Sequence, residues 1–305
     1  LQVLYAYYKS DQNDINKSVK ELQFSINKAY ELYFYILLLL VDIVLYAESR
    51  IEIARNKKVP SYQDLHPNTR FTDNRLLLQL RNNKQLLRFI ETNHISWVNF
   101  PELIKELFMD ISGSELYTAY MEAETCEYEC DKKFITSALN HIILPNESLC
   151  QILEEKSIYW NDDLEFVISM VTKTIKQFEE KDGDEKELFE LYKNDEDRDF
   201  VVDLLKKALL KRELSLELIK EKASNWDLER IAFMDQLIMQ LAITEMIEFT
   251  SIPTKVTLNE YLDIAKFYST EKSNTFINGV LDKIMQKLKE EKIIRKTGRG
   301  LIGEL

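Results

Sequence analysis

Six glycines and five prolines in 305 residues leave this backbone few places to turn tightly or to break a helix. That scarcity predicts an all-α chain. With 45% of its residues hydrophobic, the chain has apolar content for one large or two medium cores, which excludes the disordered and fibrous classes.

The apolar spacing locates the helices. Leu1, Leu4, Tyr5 and Tyr8 fall at i, i+3, i+4 and i+7, so the chain begins inside an amphipathic helix. A polar stretch then leads to a central core helix over 22–46. Residues 32–41 within it are uncharged, but Glu31 and Asp42 bracket them at ten residues, short of the roughly 18 to 20 that span a bilayer. A buried helix and no membrane association are expected. Residues 56–72, with Pro60, His66 and Pro67, read as a connection, followed by helices over 75–92 and 100–109, the second opened by Pro101. Near the C-terminal end, Leu228, Ile231, Met234, Leu237, Ile238, Leu241 and Met246 share one helical face that should end before Pro253. Thr257-Leu258-Asn259-Glu260 has capping-box spacing and predicts a new helix. Leu258, Tyr261, Leu262, Ala265 and Phe267 or Tyr268 supply its apolar face. A final helix runs over 274–292, in which Gly279 predicts the close approach of another helix.

Compared with itself at an offset of 66, the chain pairs eight identities between 131–160 and 197–226. These include Asp131 with Asp197, Phe134 with Phe200, Leu139 with Leu205, and Trp160 with Trp226. Asp-Leu-Glu then recurs at 163–165 and 227–229. The pattern fits a duplicated helical unit, and it also fits shared helical periodicity alone. The charged stretch 179–187, holding Gly183, is the best linker between the copies.

Little of the sequence points to catalysis. Cys126, Cys130, His141 and Cys150 match no common zinc spacing, so free thiols in a reducing, cytoplasmic compartment are expected, with no metal and no cofactor. His66 and His94 lack partners at ligand or nucleophile spacing. Gly298, Gly300 and Gly303 spell a dinucleotide-binding pattern, but without the strand before and helix after that such a loop requires, a flexible tail is expected. The acidic runs 122–131 and 195–199 read as solvated helix ends. A net charge of −12 argues against a chain that coats nucleic acid indiscriminately, and no DNA binding is expected. Between Lys283 and Arg299, however, seven basic residues face only Glu290 and Glu291. Both a solvated helix end with a loose tail and an RNA-backbone contact fit that segment.

Three linked blocks resemble the NusB family: Pro253-Thr254-Lys255-Val256-Thr257-Leu258-Asn259-Glu260, Ala265-Lys266-Phe267-Tyr268, and Phe276-Ile277-Asn278-Gly279-Val280-Leu281-Asp282. Upstream, Trp226 to Ile231 and 197–200 look like the preceding helices, and Leu1-Gln2-Val3-Leu4-Tyr5-Ala6 looks like the first helix, so the resemblance covers 1–8 and about 187–290. It implies a NusB-like helical bundle with an additional helical region. Residues 1–10 would be its first helix, 11–183 an inserted helical domain in which 131–178 repeats 197–246, 184–292 the RNA-binding core, and 293–305 a basic flexible tail.

The implied function is non-enzymatic: a transcription antitermination or termination factor, also serving ribosome biogenesis, that acts on ribosomal RNA transcripts. Its implied partners are a boxA-like single-stranded RNA, the ribosomal small-subunit protein NusE, and the RNA polymerase antitermination complex. Carried over by motif are Gln2, Tyr5, Phe276 and Asn278, with Tyr5 and Phe276 equally able to serve as packing aromatics. Lys272 and Lys283 are phosphate candidates by proximity in sequence. Two departures stand out. The family's arginine-rich stretch would lie upstream of Leu1, and Gln240 stands where the family commonly has arginine. An alternative is a helical interaction scaffold that has lost direct RNA binding; an RNA-modifying enzyme would need a cofactor-binding α/β domain that the sequence does not suggest.

Overall fold

The uncharged run at 32–41 forms the middle of a 41-residue helix, α2 (Ile15–Arg55), and all ten residues are buried. A helix that is apolar on every side is stable in water only when other helices enclose it. By length and composition α2 could cross a bilayer, but most of that stretch is enclosed by the fold and does not indicate a membrane protein. The structure, a computed structural model, describes residues 1–10, 14–223 and 230–303; the pairing expected at Trp226 and at 227–229 lies outside them. Among the described residues there are fifteen α-helices and no strand. The chain divides into two compact units, Leu1–Phe24 with Tyr192–Leu305, and Ser25–Leu191.

The second of these, residues 25–191, packs short helices around α2: α3 (Tyr62–Leu65), α4 (Arg75–Asn82), α5 (Lys84–Asn93), α6 (Pro101–Ser112), α7 (Glu115–Glu122), α8 (Tyr128–Ala138), α9 (Glu147–Lys156) and α10 (Leu164–Gln177). Pro101 opens α6 at its first turn, as expected. The single helix expected over 75–92 is two. Asn83 leaves the helical conformation, and its side chain caps α5 by accepting from the Leu86 N–H at 3.0 Å while donating to the Lys186 carbonyl at 2.7 Å. Two buried tryptophans donate their indole N–H to carbonyls of α2, Trp97 to Tyr35 at 3.0 Å and Trp160 to Lys28 at 2.7 Å, which satisfies the one polar atom on each.

Of the acidic run 122–131, Asp131 is not solvated. It is buried, takes Arg75 Nε at 2.9 Å and the Tyr120 hydroxyl at 2.7 Å, and with burial holds the Tyr120 pKa above its ordinary value. Cys126 and Cys130 are joined as a disulfide rather than free, because Cys126 lies just before α8 and Cys130 in its first turn, with α-carbons 5.4 Å apart. Cys150 is free, and His94 is the left-handed C-cap of α5.

The first unit comprises α1 (Gln2–Lys9), the start of α2, α11 (Asp195–Leu210), α12 (Arg212–Lys222), α13 (Phe233–Glu248), α14 (Thr254–Tyr268) and α15 (Glu271–Glu290). α13 was expected to be amphipathic but is buried on every side from Leu237 to Met246, Gln240, Thr244 and Glu245 included, because α11, α12, α14 and α15 all pack on it. Each of those polar groups is bonded. Thr257 and Tyr261 of α14 donate to the Glu245 carboxylate at 2.8 and 3.0 Å, and burial raises its pKa. Thr257 is therefore not the predicted helix cap. α14 starts at Thr254, directly after Pro253, which places Thr257 in its buried interior.

At the offset of 66, α8 with the turn that continues it and α9 begin and end within one residue of α11 and α12, whereas α10 and α13 start three and end five residues apart. α9 starts at 147 and α12 at 212; α9 ends at 156 and α12 at 222. A π turn over Leu139–Ile143 continues α8 where α11 stays α-helical. The segment after α15 departs from the loose tail expected of it. Thr297 N–H donates to the Thr250 carbonyl at 2.9 Å, Lys296 to the Phe249 carbonyl at 2.9 Å, and Gly300 is so close to Thr250 that a Cβ would lie 2.0 Å from its oxygen.

Candidate nucleic-acid interface

Of the residues expected to touch RNA, Tyr5 meets the start of α13, Gln2 bonds to the end of α14, and the other four lie on α15. Phe233, its first residue, meets the Tyr5 ring edge-on at 5.5 Å and the Tyr8 ring at 6.3 Å. Lys9 lies over Phe233 with its ammonium 4.6 Å from the ring centroid. Gln2, Tyr5 and Lys9 recur at i, i+3 and i+7, so the outer face of α1 shows an amide, an aromatic and a cation in one line, while Leu4 points into the core. Tyr5 packs on Phe233 and is 38% exposed.

The same region fixes the junction between α14 and α15. Two residues into α13, buried Asp235 accepts from the Ser269 hydroxyl, and Gln2 donates to the Tyr268 hydroxyl at 3.2 Å. Thr270 then caps α15, accepting from Ser273 N–H at 3.2 Å. Lys272 and Phe276 occupy the first turns of α15, so α1 and the beginning of α15 are tied through Tyr268 and through α13.

Along α15, Lys272, Phe276, Gly279 and Lys283 follow at i, i+4, i+7 and i+11, a nearly straight line about 16 Å long on a helix rising 1.5 Å per residue. Lys272, Gly279 and Lys283 are exposed, and Phe276 is half-buried against the core. Asn278 is exposed but falls off this line, toward the other side of the helix. The expectation that a helix packs closely on Gly279 is not met: nothing lies within 4 Å of where its Cβ would be. The glycine leaves bare helix backbone between two lysines.

Several residues here were not singled out from the sequence. Phe267 is 74% exposed and Tyr268 half-buried, which settles which of the two belongs to the apolar face. The spacing held the signal: Tyr268 follows Tyr261 and Ala265 at i+7 and i+3, whereas Phe267 is out of phase. Lys9 and Phe233 carried no such signal, since their pairing is made by tertiary contact. Gln240 is buried and donates to the Tyr8 hydroxyl at 2.9 Å and to the Ala208 carbonyl at 2.7 Å. The positive charge beside Tyr8 comes instead from Arg212, whose guanidinium carbon sits 3.8 Å from the ring centroid.

Chemically, this surface offers exposed rings for stacking and separated cations for phosphates. Among the described residues no group of three or more His, Cys, Asp or Glu is placed to hold a metal ion.

The NusB family matches residues 166–286, starting inside α10 rather than near 187. The transcription antitermination protein NusB of Salinibacter ruber is 42% identical over 139 residues, covering 44% of this chain and 87% of that protein. The protein of the same name from Chloroherpeton thalassium is 44% identical over 84 residues, 28% of this chain and 40% of the relative. That of Alkaliphilus oremlandii is 33% identical over 103 residues, 34% and 75% of the two chains. No solved structure matches the chain.

Proposed function

This chain belongs to the NusB family, and from that premise we propose that it is a transcription antitermination factor that binds a boxA-like single-stranded element of ribosomal RNA transcripts together with the ribosomal protein NusE. The family is non-enzymatic, so the chain is not an enzyme. The observation that carries the RNA reading is the pair of exposed lines, Gln2–Tyr5–Lys9 on α1 and Lys272–Gly279–Lys283 on α15, tied together at Tyr268 and Phe233. Bases stack on Tyr5 and Phe267, the lysines neutralise phosphates, and Gln2 offers hydrogen bonds to base edges, while Asn278, on the other side of α15, stands apart from this track. Phe276 chiefly fixes α15 against the core. The RNA-bound factor works in the cytoplasm, within the RNA polymerase antitermination complex.

We also read residues 11–183 as an inserted helical domain that the family match enters only from residue 166, with 131–178 a duplicate of 197–246; the near-matching boundaries of α9 and α12 support the repeat.

Fluorescence anisotropy with labelled boxA-like RNA, with and without NusE, at two salt concentrations tests the function. Sequence-selective binding that NusE strengthens and salt weakens is expected, because phosphate contacts release counterions. Loss of selectivity in every combination would leave a helical scaffold without RNA contact.

A further inference from the structure

Residues 25–191 hold 18 Lys and Arg against 29 Asp and Glu, a net −11, yet 50–58 hold Arg50, Arg55, Lys57 and Lys58 against Glu52 alone. Lys57 is committed to Asp64 at 2.8 Å. Arg50, Arg55 and Lys58 are exposed, and among the described residues they have no ion-pair partner. Three unneutralised cations at one end of α2, in so acidic a unit, mark a local site for an anion.

Beside them is a cleft of about 300 Å³ between the C-terminal part of α2, the α3 segment and helices α6 and α7. Phe71, Phe108 and Tyr117 contribute aromatic walls, and Ala47, Ile51 and Ala54 an apolar side. Arg50 lines it together with the polar groups of Gln63, Asp64 and Asn68. Asn68 is occupied by Met121 and Arg70 backbone groups, whereas the Gln63 amide has no partner among the described residues. Next to the cleft Tyr62 is 79% exposed, its ring centroid 4.6 Å from that of His66.

We propose that this cleft is a second contact for single-stranded RNA: one base lies between the packed Phe71, Phe108 and Tyr117 cluster and the apolar side of α2, a neighbouring base stacks on Tyr62, and Arg50, Arg55 and Lys58 hold the adjoining phosphates. The chemistry selects a nucleotide over an acidic peptide. The aromatic rings suit a planar base, which an acidic peptide lacks, and the Gln63 amide both donates and accepts as a base edge requires. Aromatic faces stack on any base, so this contact adds affinity rather than sequence choice. The inference rests on the RNA-binding reading above and extends it to a separate part of the chain.

Anisotropy of the full chain with NusE is measured on two labelled RNAs, a boxA-like strand of about 12 nucleotides and the same strand with an unstructured extension to about 40, the shorter being of the size one compact site covers. Arg50→Ala/Arg55→Ala/Lys58→Ala is expected to weaken binding of the longer RNA about tenfold and to lower its salt slope by about two, leaving the shorter unchanged. Tyr62→Ala should act in the same direction, and Tyr62 should crosslink to 5-iodouridine in the extension. Lys272→Ala/Lys283→Ala should weaken both RNAs. Longer RNA bound equally by wild type and the triple variant, while Lys272→Ala/Lys283→Ala still weakens it, overturns this inference and leaves the family function standing. Absence of RNA binding by the wild type overturns both. Free mononucleotides that bind the cleft more tightly than the extension, or patch variants that change the sedimentation coefficient without changing RNA affinity, would assign it to soluble nucleotides or to a protein surface.

Discussion

The two units are built from one grammar and differ in charge. Residues 25–191 carry net −11, leaving −1 for the rest, so nearly all of the acid excess that argued against nucleic-acid binding belongs to a different unit from α1, α13 and α15. They also bury a carboxylate differently. Asp131 is countered by a guanidinium and a hydroxyl, whereas Glu245 has two hydroxyls and a pKa raised by burial. A whole-chain net charge thus describes neither half. The division of labour it hides is one part rich in solvated acid and one part electrically balanced enough to approach RNA.

The largest effect should come from breaking the Asp131 arrangement. Asp131→Ala removes the acceptor shared by Arg75 Nε and the Tyr120 hydroxyl and should cost about 2 to 3 kcal/mol, at or below the lower end for a buried pair because Arg75 is 38% exposed and keeps Glu180 and the Cys126 carbonyl. Urea unfolding followed by tryptophan fluorescence reads this directly, since Trp97 and Trp160 are both buried in that unit. RNA affinity at low urea should stay within twofold of wild type, roughly 0.4 kcal/mol. If it drops in step with stability, the separation of roles is wrong.

Next comes a pH effect confined to α2. Burial raises the Asp42 carboxyl to about 6 from 3.8, so between those values the folded chain binds a proton that the unfolded chain has released. Stability from this group is therefore highest below about pH 4 and falls as pH rises to about 6, where the ionised form has to be kept partly buried. Asp42→Asn should stabilise the protein at pH 7 by about 1 to 2 kcal/mol, discounted for partial solvent access, and by nothing near pH 4. Equal stabilisation at both pH values would show that the charge is not the cause.

On the balanced side, Lys272→Ala/Lys283→Ala should weaken boxA-like RNA about tenfold near 0.1 M salt, roughly 1.4 kcal/mol, with a salt slope lower by about two. Thermal unfolding should barely move, because both side chains are exposed. A lower affinity with an unchanged slope would mean that the lysines act on the partner protein and not on phosphates.

What the sequence could reveal followed local periodicity. The uncharged run at 32–41 and the Pro101 helix start need only spacing to be found, whereas the candidates on α15 rest on motif resemblance and proximity in sequence. Where a residue's role depends on a neighbour distant in sequence, spacing misleads. Thr257 and Glu260 look like a cap because nothing local says that Thr254 already starts the helix and that Glu245 awaits the Thr257 hydroxyl. Asn83 ends one helix and caps the next within an apolar pattern that runs straight through it. Lys9 on Phe233, Arg212 on Tyr8 and the docking of Gly300 on Thr250 are tertiary facts with no local signature. Cys126 and Cys130 were separated from a disulfide only by where α8 begins.

Gly279 is the finest test, because stability and binding should move in opposite directions. A helix-interior glycine costs up to about 1 kcal/mol against alanine, and an added Cβ here would touch nothing. Gly279→Ala should therefore raise the unfolding midpoint by a few degrees, which a calorimetric scan resolves. The same methyl would stand on the line between Lys272 and Lys283, where bare backbone permits a strand to lie close, and should weaken RNA by about threefold, roughly 0.6 kcal/mol. A gain in stability with unchanged affinity would make Gly279 a cost that this helix carries for no RNA-related reason. Opposed signs would instead make it a residue that gives up stability for a close approach.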